Sequence, residues 1–371
     1  MPLKTLSFNQ GVLFQNIRSL SWIGMIYFLV LLFLLPLQFV LAYNNERYQY
    51  NYNFKDNLFA MMEPIQIFVI FIIPVLLAVL LFRYLHIKGS ADFFHSLPIK
   101  REVMYVQHVI FGLFTLTIPV LVIGIILTLF YDSLHVFNTI SVPEIWNWVG
   151  VTVLFNYFVF FTSAFVAMVT GISAVHAIIS YILFVLPVGV YVFSVLNLEY
   201  FLFGFSSQYY INTNIERLVP FVRAADFSRI PLTGKEALAY ATITIVLAIL
   251  ALVIYKIRRI ESAQQAIAFQ NLQPFFKYGV AFCCLLMGGF YFGESQDQIE
   301  WVLFGMIAAS VIGFFAAEMV LQKTWRVFKE WKRFVYFLTG IALLGFLFHL
   351  SSEKYEQNLP DLADVNRVYL G

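Results

Sequence analysis

Residues 105–131 read YVQHVIFGLFTLTIPVLVIGIILTLFY, with no Asp, Glu, Lys or Arg among them. The run exceeds the roughly 20 apolar residues that carry a helix across a hydrocarbon core, and in lipid a backbone can satisfy its polar groups only within a helix or a closed barrel. The segment is therefore read as a transmembrane helix. Outward from it, comparable runs lie near 20–42, 59–82, 147–170, 174–197, 238–256, 278–293, 300–321 and 334–350, about nine spans in all. The whole chain has this character: of 371 residues, 61% are hydrophobic and 12% charged, against about 45–50% and about 25% in a soluble domain. The fold class expected is all-α, a polytopic integral membrane protein. The first apolar run is too long for a signal peptide and is retained as a span.

Charge sets the expected topology. With the N-terminus inside, most basic residues, among them Arg83, Lys88, Lys100, Arg101, Lys256, Arg258, Lys277 and Lys323, fall on the inner side, as the positive-inside rule requires. Most acids then fall outside, and about nine spans place the C-terminus outside. Trp146 and Trp148 suit an outer aromatic belt and Trp325 and Trp331 an inner one. Residues 6–18, with Leu6, Leu13, Phe14 and Ile17 on one side, suit an interfacial helix along the inner leaflet. The long loop 199–236, with Ile215, Leu218, Val219 and Val222, suits a helical or re-entrant element on the outer side.

The loop before the 105–131 span is the most informative. It contains Ser90-Ala-Asp-Phe-Phe-His-Ser-Leu-Pro-Ile-Lys-Arg-Glu102. Ser90 is an N-cap candidate, Asp92 complements a positive helix end, and Pro98 disfavours helical geometry at Leu97. A two-turn helix would present Phe93, Phe94 and Leu97 together among polar neighbours Asp92, Lys100 and Arg101. Such a surface needs a cover, either a partner protein or this chain's own cytoplasmic ends.

This string resembles the loop of type-2 ABC exporter permeases of Gram-positive bacteria, in which a small, acidic, aromatic, Ser-Leu-Pro, basic pattern leads into the third span. The resemblance covers about residues 1–257. It implies a six-span permease core at 1–257, an additional three-span region at 258–351 carried by the segment Arg258 to Phe269, and a tail at 352–371 that begins an extracellular domain. It also implies a coupling helix contacting an ABC ATP-binding subunit through Asp92, Phe93, Phe94, Leu97, Lys100 and Arg101, and pairing with a second permease copy or paralogue in a bacterial cell membrane.

No phosphate loop of the form G-x-x-x-x-G-K-[ST] occurs, so this chain is expected to bind no cofactor, with ATP and Mg held by the partner. H-E-x-x-H and C-x-x-C are also absent, and the six histidines are scattered, so neither catalysis nor a metal site is expected. No feature suggests nucleic acid. Cys283 and Cys284 are adjacent within an apolar run and are read as packing residues. Gly305, Ala309, Gly313 and Ala317 form a small-residue stripe that suits close helix packing in lipid, and Ser163, Ala167 and Gly171 form a shorter one. Glu318 is an acid within a span. It is a candidate functional group or, near the inner end, a snorkelling acid paired with Lys323 or Arg326. The function expected is that of an exporter's permease subunit; alternatives are a secondary transporter and a non-transporting sensor or assembly component.

Overall fold

The computed structural model describes residues 9–43, 58–131, 140–211, 220–296 and 298–356. Twelve helices organise these residues: α1 Gln10–Leu34, α2 Pro36–Tyr43, α3 Glu63–Leu81, α4 Lys88–Ser96, α5 Arg101–Tyr131, α6 Val142–Val169, α7 Ser173–Phe201, α8 Pro220–Ala225, α9 Gly234–Ile257, α10 Gln273–Gln296, α11 Ile299–Gln322 and α12 Trp331–Glu356. Among the described residues, nine helical stretches are long and apolar enough to cross a membrane. The protein is an all-α, multi-pass membrane protein.

Two differences from the sequence reading concern span edges. Residues 10–18 are the first turns of α1, which runs on into the span, rather than an interfacial helix set apart. Asn9 caps it by accepting from Gly11 N at 2.9 Å. The Ser19 and Ser21 hydroxyls donate back to the carbonyls of Gln15 and Ile17, so these polar residues do not break the helix. Leu6 lies outside the described residues. The seventh span is longer than its apolar run, because the polar ends of α10 continue the helix to Gln273 and Gln296.

The chain forms two compact units, one of residues 1–184 and 220–269, the other of 185–219 and 270–371. Residues 258–269 thus pack with the first unit although they follow its last span. The tail beyond Glu356 lies outside the described residues, as do Ile215, Leu218 and Val219.

In the first unit α6 is central. It packs against α3, α5 and α9 and buries residues on all its faces, including Phe155, Phe160 and Ala164, as a helix apolar all round does at the middle of a bundle. Trp148 belongs to this core and not to an aromatic belt: its indole N–H donates to Gln66 Oε1 at 3.0 Å, and it is 1% exposed. Trp146 is exposed. At the same end Arg223 forms an ion pair with Glu236 at 3.0 Å and donates to the Ile230 and Pro231 carbonyls. Glu63 accepts from Ser228 Oγ at 2.9 Å.

In the second unit α10 and α11 form a close hairpin. A side chain at Gly288 would strike the Gly305 carbonyl and the Ala309 methyl, and one at Gly313 would strike Cys284. The Gly305, Ala309 and Gly313 stripe therefore faces α10, where backbone proximity maximises dispersion contact. Ala317 is buried on the same helix. Phe334 of α12 closes a cluster with Ala281 and Phe314.

Candidate functional site

The ends of α3, α6 and α9 and the start of α5 converge in the first unit beneath α4, and the convergence is built by residues from three separate loops. A 3-10 turn, Arg83–Leu85, follows α3. The turn between α6 and α7 spans only Thr170, Gly171 and Ile172. The segment after α9, a 3-10 turn at Ile260–Ser262 and the bends that follow, straps across it, with Gln264 N donating to Gly171 O and Ala268 N to Val169 O, both at 2.7 Å. Gly171 is required there: a Cβ would overlap the Ser262 and Gln265 carbonyls.

Arg258 pins the convergence. Its guanidinium is buried and donates to the carbonyls of Ala167 at 2.6 Å, Met168 at 2.9 Å and Leu85 at 3.2 Å. Two of these are end-of-helix carbonyls of α6, where the helix dipole favours a cation. Burial lowers its pKa to about 10, so it remains charged at neutral pH. Arg101 then donates to the carbonyls of Arg258 at 2.8 Å and Lys256 at 3.2 Å, capping the end of α9. Tyr84 OH donates to Tyr255 OH at 3.0 Å, and burial pushes the Tyr84 phenol above its ordinary range. His86 Nδ1 lies 3.0 Å from Ser173 Oγ. Burial, with the neighbouring His176 and Arg258, lowers its pKa to about 3, so it is neutral near pH 7.

α4 rests on this assembly. Ser90 is not its cap: the helix begins two residues earlier at Lys88 after Ile87, with no side-chain cap. The three apolar residues expected on one surface are divided. Phe94 is 9% exposed and its ring lies 4.8 Å from Tyr84, whereas Phe93 is 59% exposed. Successive helical residues point about 100° apart, so neighbouring phenylalanines cannot share a face. Leu97 is half-buried against the core, and Asp92 and Lys100 are exposed. Arg101 is turned inward to the carbonyls described above. The exposed surface of α4 thus comprises Asp92, Phe93 and the neighbouring Lys88, while Phe94 and Ala91 anchor it.

In the second unit Glu318 is buried, and its ion-pair partner is Lys277 at 3.0 Å rather than the expected Lys323 or Arg326. Glu318 also accepts from Gln322 at 2.6 Å. Lys277 lies over the rings of Phe314 and Tyr278, at 5.2 and 5.6 Å. Among the described residues, no group of three or more His, Cys, Asp or Glu could hold a metal ion.

Tyr84 and Tyr255 were not singled out by the sequence, and Lys277 entered only as an inner-side charge. Arg258 opened the segment that carries the subgroup resemblance and stands directly after a span, but that position reads equally as a topological charge, and neither signal gave its carbonyl partners. No protein-family model, curated protein or solved structure matches the chain.

Proposed function

We propose that the chain is the transmembrane permease subunit of an ABC transporter of the exporter type, powered by a separate ATP-binding subunit that docks on α4. The observation that carries this reading is the division of α4: an exposed Phe93 beside an anchored Phe94 on a short helix between the second and third spans. An exposed aromatic at 59% on a polar helix suits a partner's groove, and the anchoring supplies a stiff path inward. From Phe94 the contacts run through Tyr84, Tyr255, Arg101 and Arg258 to the ends of α3, α5, α6 and α9. A displacement of α4 would therefore bear on four spans together.

Under this reading the N-terminus is cytoplasmic and the C-terminus extracellular in a bacterial cell membrane. ATP and Mg belong to the partner subunit, and a second permease copy or paralogue completes the pathway. A secondary transporter would draw support from the buried Lys277–Glu318 pair. However, both residues sit about one turn from the ends of α10 and α11, whereas coupling charges in such transporters lie near the bilayer midplane.

The test is co-purification of the ATP-binding subunit with Phe93→Asp, made in the full chain and compared with Ile230→Asp at the other end of the first unit. The expected result is loss of the ATPase with Phe93→Asp alone, with membrane insertion unchanged. Equal recovery of the ATPase with both variants would overturn the docking assignment.

A further inference from the structure

A cleft of about 460 Å³ opens between the first turns of α1 and the α3–α4 connection. Asn16, Ser19 and Trp22 form one wall and Arg83, Ser90 and Phe94 the other. Its size lies in the range of small-molecule sites, and its lining mixes polar and apolar groups. Among the described lining residues Arg83 brings the only formal charge and none is a carboxylate, and Arg83 makes no ion pair among the described residues. Asn16 is 6% exposed, and its Nδ2 has no acceptor among the described residues. A buried amide N–H without a partner is destabilising, and an oxygen-rich ligand in the cleft would relieve it.

The cleft's depth narrows the ligand. Arg83 follows the second span, which ends at Leu81, and Trp22 lies in the first where its apolar run begins. Both therefore sit at the boundary between hydrocarbon and water, the level at which Trp residues and basic groups meet lipid headgroups. We infer that this cleft binds the phosphate headgroup of an anionic membrane phospholipid, with Arg83 as its counter-ion and Asn16 as a hydrogen-bond donor. Because Ser90 and Phe94 belong to α4, a bound headgroup would brace that helix from the α1 side. The inference rests on the membrane fold and not on the transporter reading.

The test uses the full chain in nanodiscs of phosphatidylcholine with a minority of phosphatidylglycerol, followed by detergent exchange and native mass spectrometry of retained lipid. Wild-type protein should keep phosphatidylglycerol. Arg83→Gln should keep about fivefold less, the effect of roughly one basic residue at an anionic surface, and Asn16→Leu should also keep less. Arg83→Lys, which retains the charge, should fall between, and guards against misfolding as the cause. Lys329→Gln, an exposed cation of the second unit, should match wild type. Equal retention by all variants, or equal losses with Lys329→Gln and Arg83→Gln, would overturn the site. Displacement of the lipid by millimolar glycerol phosphate would show a soluble-anion site instead and would overturn the lipid assignment.

Discussion

Arg258 in the first unit and Lys277 in the second are each at most 5% exposed, yet the chain accommodates the two cations differently. Lys277 has a carboxylate, Glu318, and two aromatic faces. Arg258 has carbonyls, two of them the unsatisfied ends of α6. An ion pair joins two side chains and ties one helix to its neighbour. A guanidinium fan across main-chain carbonyls joins loops distant in sequence and fixes their mutual geometry, because its planar donors accept few alternative arrangements. The difference teaches where each unit is specified: the second by a hairpin of two packed helices, the first by a rigid convergence of loops beneath α4.

Removing Glu318 should have the largest effect. Glu318→Leu leaves Lys277 buried and unpaired and should destabilise the protein by about 3–5 kcal/mol. The double variant with Lys277→Met should recover most of this, since apolar replacement of a buried pair is often neutral. Thermal unfolding of detergent-purified protein measures both; a double variant no better than Glu318→Leu would refute the pairing. For the carbonyl-held cation, Arg258→Lys should cost about 1.5–3 kcal/mol despite keeping the charge. A compact ammonium cannot span three carbonyls set at different angles. Full stability with lysine would reduce Arg258 to a point charge and erase the contrast with Lys277.

A smaller effect comes from His86 beside Arg258. Folded, it is neutral down to about pH 3; unfolded, it takes up a proton below its ordinary value of about 6.5. Stability contributed by His86 is therefore present above pH 6.5 and lost as pH falls through the window from 6.5 toward 3. Between pH 7.5 and 5.5 the loss should be about 1 kcal/mol. His86→Gln should flatten that slope relative to wild type in unfolding midpoints measured across the same interval.

The spans were legible because lipid forces every crossing segment to be apolar and helical, so most boundaries fell within a few residues, the start of the first span excepted. The edges that shifted did so where polar residues continue a helix, at Gln15 to Ser21 and at the ends of α10. The position of α4 was legible from Pro98. Its start and the split of Phe93 from Phe94 were not, because Ile87 supplies no capping side chain and packing against Tyr84 decides which ring turns inward. The partners of Arg258 and Glu318 were illegible for a different reason. Both depend on residues far away along the chain, 41 residues for Lys277 and Glu318 and about 90 or more for Arg258. Charge pattern assigns such residues a side of the membrane, not a partner.

The contrast between the two faces of α4 carries the functional account, and site-specific photocrosslinking reads it directly. A photoreactive residue at position 93, in membranes containing the full chain and the proposed ATP-binding subunit, should crosslink to that subunit. The same residue at position 94 should not crosslink to the ATPase. Equal crosslinking to the ATPase from both positions, or none from position 93, would contradict docking on the exposed face of α4.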